Sequence, residues 1–121
     1  MTLELNSKEP IYIQIIDHIK KKIVSGELKG GDRILSVREY ASEIKVNPNT
    51  IQKVYYELEN EGLIYTQRGI GKFVTEDKEK INLLKQELFN KTIDKFIQDS
   101  IELGFIKEQI LEIINERYGE D

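Results

Sequence analysis

The chain has 121 residues, 39% of them hydrophobic and 33% charged, which is enough for one or two small cores and too few for a large enzyme domain. It has no Cys, no Trp, one Met and one His, which excludes disulfide scaffolds, thiolate metal sites and thiol catalysis, and leaves a zinc site or a Ser-His-Asp triad resting on His18 alone. The net charge of −4 is unevenly spread: residues 1–76 hold 11 basic and 11 acidic side chains, residues 77–121 hold 7 and 11, so any nucleic-acid contact has to come from a local patch in the first part.

From Pro10 to Ser25 the residues Tyr12, Ile15, Ile16, Ile19 and Ile23 recur at helical spacing, and Gly26 ends the run. After a loop over 27–32, Ser36-Val37-Arg38-Glu39 fits a capping box, with Leu35 and Tyr40 as a hydrophobic staple. That second helix reaches only to about Ile44, because Asn47 and Pro48 supply a new N-cap and first position, with Val46 and Ile51 as a second staple. The third helix runs to about Glu61; Ile51, Val54, Tyr55 and Leu58 form its inward stripe and leave Asn49, Gln52, Lys53 and Tyr56 outside. Past Gly62, the β-prone runs 63–67 and 72–75 are joined by Arg68-Gly69-Ile70-Gly71 as a hairpin. Helix, helix, turn, helix, hairpin is the order of a winged helix-turn-helix.

The residue types suit DNA. Asn and Gln amides pair with adenine N6 and N7, and Thr offers a hydroxyl and a methyl suited to thymine. Asn49, Thr50 and Gln52 cluster at the start of the third helix, where free amides and the positive end of the helix dipole favour phosphate. Lys53, Arg38, Arg68 and Lys72 place four cations on three elements as phosphate anchors. Other features read as structure: Gly69-Ile70-Gly71 lacks the third glycine and following helix of a nucleotide loop, and Glu57, Glu59 and Glu61 lie on a solvent face.

In the last third, residues 78–103 form a helical region with Ile81, Leu84, Leu88, Phe89, Ile93, Phe96, Ile97 and Ile101 drifting around its axis. Gly104 separates it from a second helix carrying Ile106, Ile110, Ile113, Ile114 and Tyr118. A two-helix hairpin cannot enclose both stripes, so the expectation is a dimer interface built from the same region of a second copy, with packing on the winged domain as the other reading. The region is too small for a drug-sized pocket within one chain, so no small-molecule effector can be named, and a ligand at the dimer interface or in the cleft between tail and winged domain stays open; no cofactor or metal is implied. The apolar runs Ile15-Ile16 and Ile113-Ile114 are far short of a membrane span, and Met1-Thr2-Leu3-Glu4-Leu5 lacks the features of a secretion leader, so a cytoplasmic protein with no membrane contact is expected.

Taken as one string, Pro10-Ile11-Tyr12-Ile13-Gln14-Ile15, Gly26-Glu27-Leu28, Gly31, Leu35-Ser36-Val37-Arg38-Glu39, Val46-Asn47-Pro48-Asn49-Thr50-Ile51, Leu58-Glu59, Glu61-Gly62-Leu63-Ile64 and Gly69-Ile70-Gly71-Lys72-Phe73-Val74 resembles the GntR family of bacterial transcription regulators. The short tail is most similar to the YtrA-like subfamily. The resemblance implies an α+β, mainly α fold: a winged helix-turn-helix DNA-binding domain over 9–76, then a two-helix C-terminal dimerisation region over 77–121. It further implies a homodimeric regulator, usually a repressor and often of ABC-type transporter genes, on an inverted-repeat operator of double-stranded DNA. By the same resemblance Ser36 and Arg38 contact DNA from the second helix, Asn47, Asn49, Thr50 and Gln52 from the third, and Arg68 and Gly69 from the wing tip. Asn47-Pro48 stands where many relatives have Ser-Arg, which removes an arginine able to read guanine and points to A·T pairs under Asn49 and Gln52. Gly30 and Leu35 replace frequent prolines. The alternative is a winged helix used as a protein-interaction module without DNA binding.

Overall fold

The computed structural model describes residues 3–119; Met1 and Thr2 of the chain start, and the last two residues of the expected tail, Glu120 and Asp121, lie outside the described residues. Contacts divide the chain into two units, Met1–Lys85 and Gln86–Asp121. The first holds α1 (Ile11–Ser25), α2 (Val37–Ile44), α3 (Pro48–Asn60), β1 (Ile64–Gln67) and β2 (Gly71–Val74); the division falls inside the continuous helix α4 (Lys78–Glu102), which α5 (Lys107–Tyr118) follows.

In the first unit α1 and α2 both pack on α3. Ile15, Ile51, Val54, Leu58, Ile64 and Val74 are fully buried side chains from α1, α3 and the hairpin. Burying each contributes roughly 1.5–3 kcal/mol, and this core fixes which face of α3 is left for solvent. Pro10 is the N-cap of α1 rather than its first helical residue, and has no side chain to cap with. Gln14 ties the preceding segment to the helix: its Oε1 accepts the Asn6 N–H at 2.9 Å, and its Nε2 donates to the carbonyls of Asn6 and Glu9, both at 2.8 Å.

The two start signals are realised as local geometry. Ser36 Oγ accepts the Glu39 N–H at 3.1 Å while Glu39 Oε1 accepts the Ser36 N–H at 3.0 Å, a complete capping box. Asn47 Oδ1 accepts the Asn49 N–H at 2.8 Å, with Pro48 at the first helical position. Strands β1 and β2 pair antiparallel from Ile64 with Val74 to Gln67 with Gly71. The segment read as a loop in the sequence adds a third edge: the Gly31 N–H donates to the Val74 carbonyl at 2.8 Å, the Val74 N–H to the Asp32 carbonyl at 2.9 Å, and the Ile34 N–H to the Lys72 carbonyl at 2.9 Å, with Arg33 bridging Phe73. A Cβ on Gly30 would come within 2.9 Å of the Thr75 carbonyl oxygen, so a glycine suits this close approach. The hairpin is thereby anchored to the entry of α2.

The first turns of α4 belong to this unit. Leu84, expected on the dimer face, is instead only 4% exposed within its own chain, and Ile81 is half-buried. In the second unit Gly104, at φ 85°, turns the chain, with the Phe105 N–H on the Ser100 carbonyl at 3.0 Å and Ser100 Oγ donating to the Phe96 carbonyl at 2.7 Å. Gln109 Oε1 accepts the Ile106 N–H at 3.0 Å and so caps α5 from one side. No residue of α5 is buried, and Phe89, Phe96, Ile97, Ile101 and Ile106 are exposed, while Leu88, Ile93, Ile110 and Ile114 are half-buried. No described helix is long and apolar enough to cross a membrane.

Candidate nucleic-acid interface

The buried stripe of α3 is anchored on both sides. Tyr55 stacks on Tyr40, with ring centroids 6.3 Å apart and planes 8° from parallel, and donates its hydroxyl to the Leu35 carbonyl at 2.7 Å, just before the α2 cap. Burial pushes the Tyr40 hydroxyl up to about 12 and that of Tyr55 higher still, so both remain neutral through physiological pH. With Ile51, Val54, Tyr55 and Leu58 turned inward, Asn49, Gln52, Lys53 and Tyr56 are exposed and Thr50 is half-buried. Gln52, Tyr56 and Glu59, spaced by four and three residues, continue as one outward row.

Two neighbouring elements border that row. In α2, Ser36 and Arg38 are exposed in the cap and first turn. The Ser36 amide, then its hydroxyl, hold the Glu39 carboxyl below its usual range, which keeps the capping partner ionised. In the hairpin, the Ile70 N–H donates to the Gln67 carbonyl at 2.9 Å across a turn in which Gly69 takes φ 79°, leaving Arg68, Gly69 and Ile70 exposed at the tip. Ser36, Gly69 and Lys72 line one depression of about 280 Å³, together with Arg33. Gln52 and Lys72 line another of about 200 Å³, with Val37, Tyr55, Tyr56 and Glu59. The fold thus brings Ser36, Gln52, Gly69 and Lys72 together; Arg38, Asn47, Asn49, Thr50, Lys53 and Arg68 lie outside those two depressions.

Four of the expected contact residues have intramolecular side-chain partners. The oxygens of Ser36 and Asn47 are occupied by the helix caps. The Lys53 ammonium sits over the Tyr12 ring, 3.7 Å from its centroid. Lys72 Nζ donates to Glu59 Oε1 at 2.8 Å and to Thr66 Oγ1 at 2.7 Å, and the Thr66 hydroxyl donates to Glu59 at 3.0 Å. The Lys72 ammonium, assisted by Thr66, holds the Glu59 carboxyl below the usual carboxylate range.

The sequence reading placed Tyr56 on the outward face of the third helix and Glu59 on a solvent face without giving either a part in the site, and it missed Arg33. Arg33 lay in a stretch that carries no strand alternation, whereas the spacing of Tyr56 and Glu59 from Gln52 was a usable signal. His18 lines neither of the two depressions, and burial, then Lys22, lowers its pKa. Among the described residues there is no group of three or more His, Cys, Asp or Glu placed to hold a metal.

Comparison with known proteins adds independent findings. The family described as bacterial regulatory proteins, gntR family, matches residues 11–74. The chain is 44% identical over 112 residues to the uncharacterized HTH-type transcriptional regulator YhcF of Bacillus subtilis, covering 93% of each chain. It is 39% identical over 117 residues to the HTH-type transcriptional repressor YtrA of the same organism, covering 92% of this chain and 89% of that one. Among solved structures, a GntR family transcriptional regulator from Listeria monocytogenes superposes with a TM-score of 0.85 at 42% identity, over 93% of this chain and 98% of that one. The AraR DNA-binding domain in complex with operator ORE1 matches with a TM-score of 0.53 at 28% identity, over 62% of this chain and 94% of that one.

Proposed function

The chain belongs to the gntR family of bacterial regulatory proteins and is YtrA-like, a transcriptional regulator with a winged-helix DNA-binding domain and not an enzyme; from that premise we propose that it is a cytoplasmic repressor that binds an inverted-repeat operator as a homodimer. The observation that carries the reading is the exposed row on α3, bordered by the α2 cap and the wing. An α-helix fits the major groove, and Asn49, Thr50 and Gln52 have the donor and acceptor sets to read base edges there. Arg38, from α2, and Arg68, at the wing tip, anchor phosphates on either side, and Ser36 and the Gly69 backbone approach the sugar-phosphate chain. Asn47 orders the first turn of α3 through its cap, and Lys53 adds positive potential beside it. The AraR DNA-binding domain, matched over 62% of this chain, is recorded on operator DNA, which supports this docking.

The dimer reading rests on the second unit. Phe89, Ile97, Ile101 and Ile106 are 58%, 46%, 60% and 59% exposed in the single chain, an apolar surface that a second copy would cover. A two-fold pair would present two α3 helices to half-sites about 34 Å apart, one turn of DNA, or a multiple of it. Control of transporter genes rests on the YtrA-like kinship alone. Selection from a pool of random duplexes at low salt, followed by sequencing, tests the proposal. Enrichment of an inverted repeat with A·T pairs under Asn49 and Gln52 is expected; no enrichment, with no competition from unrelated duplex DNA, would overturn it in favour of a protein-interaction module.

A further inference from the structure

The cation at the centre of the surface is already engaged. Lys72 lines both depressions, one shared with Ser36 and Gly69 and the other with Gln52 and Tyr56, yet its ammonium rests on Glu59 and Thr66. Glu59 itself lies in the outward row of α3, seven residues beyond Gln52. A carboxylate there faces the phosphates that the rest of the surface attracts, and the Lys72 ammonium cancels its charge. The pair is accessible, with the two side chains 28% and 39% exposed. Partners in such a pair are held only weakly, and a lysine is a flexible point charge able to change acceptors without rebuilding the strand that carries it.

We propose that Lys72 is a reserve cation: in the free protein Glu59 and Thr66 hold its ammonium, on a duplex it exchanges the Glu59 carboxylate for a backbone phosphate, and Glu59 thereby sets the affinity. The inference rests on the DNA-binding reading above and deepens it, because it assigns a positioning residue that acts on DNA through another side chain. Phosphate contacts are independent of sequence, so a mixed-sequence duplex is a sufficient probe.

The test measures affinity of the whole chain for a labelled mixed-sequence duplex over a salt series, by fluorescence anisotropy, for wild type, Glu59→Gln, Lys72→Met, Lys72→Arg and the Glu59→Gln/Lys72→Met double variant. Glu59→Gln keeps the shape and the acceptor for Thr66 but releases the ammonium. It is expected to bind more tightly than wild type, by up to about fivefold per subunit, the cost of breaking an exposed pair, with the same slope of log affinity against log salt because Lys72 neutralises the same phosphate in both complexes. Lys72→Met is expected to weaken binding, to flatten the slope by about 0.9 per subunit and to abolish the gain from Glu59→Gln, whereas Lys72→Arg follows wild type. Thr66→Val, which removes one arm of the cradle, shifts affinity in the same direction as Glu59→Gln and covers the case in which that variant folds poorly. Unchanged affinity or a steeper slope in Glu59→Gln, or an unchanged slope in Lys72→Met, overturns the exchange and leaves the pair as a brace between wing and helix. An equal gain from Glu59→Gln in the Lys72→Met background also overturns it, since removal of a repelling carboxylate then accounts for the effect. Wild type that retains no duplex at any salt overturns the DNA-binding reading, whereas wild-type binding with a flat Glu59→Gln response overturns this inference alone.

Discussion

Tyr55→Phe separates the contribution of one hydroxyl from that of the ring around it. The ring is 3% exposed and stacked on Tyr40, and Phe preserves both burial and stacking, so the perturbation is confined to the 2.7 Å hydrogen bond with the Leu35 carbonyl. Losing that bond costs about 1 kcal/mol at neutral pH, or roughly 5 °C in Tm for a domain of this size. The same hydroxyl has an opposite effect in alkali. Burial raises the folded value of Tyr55 above that of an unfolded tyrosine and pushes Tyr40 up to about 12, so the stability these groups contribute is complete below an unfolded value of about 10 and is lost as pH rises through the folded values. Wild type therefore loses about 1.4 kcal/mol per pH unit for each of the two tyrosines above that point, and the variant is spared one of these losses. Urea unfolding of both proteins from neutral pH upward is the assay. The variant is expected to be the less stable at neutral pH, to match wild type about one unit above an unfolded tyrosine's value, and to exceed it beyond that. A gap that stays constant across the whole range would refute the assignment of Tyr55 as a buried neutral donor.

Asn47→Ala removes the cap on α3 and is expected to lower stability by about 1 kcal/mol in urea titration while leaving the salt slope of DNA binding unchanged. Arg68→Ala, at the exposed wing tip, is expected to weaken binding about equally for all sequences and to flatten the salt slope by about 0.9 per subunit; altered base preference in a selection would argue against a phosphate role. Ile101→Glu, on a side chain 60% exposed in the single chain, is expected to leave the winged unit folded and to convert the protein to a monomer in sedimentation; an unchanged mass would remove the dimer reading.

What the sequence made legible is what short-range chemistry decides. Ser36 with Glu39, and Asn47 with Pro48, are contacts within one turn, so their spacing alone specified both helix starts. The stripe Ile51, Val54, Tyr55 and Leu58 specified the buried face and, by subtraction, exposed Asn49, Gln52 and Lys53. Partners brought from elsewhere in the fold were not legible. Arg33 joins the sheet only because β2 lies beside it, through backbone hydrogen bonds that leave no mark on side-chain periodicity. Lys53 meets Tyr12 from another helix, and Lys72 meets Glu59 across the junction of wing and α3, so two of four expected phosphate anchors are held within the chain. Leu84 belongs to the tail by sequence pattern and to the winged unit's own buried residues by packing.

The central claim is that α3 reads base edges in the major groove, and the most direct measurement places single 7-deazaadenines, which lack the N7 acceptor, in the selected duplex. Substitution at the adenine under Gln52 is expected to weaken wild type by roughly 1–3 kcal/mol and to leave Gln52→Ala unaffected, whereas 3-deazaadenine, altered only in the minor groove, changes neither protein. Equal loss in wild type and Gln52→Ala, or loss only with the minor-groove analogue, would contradict it.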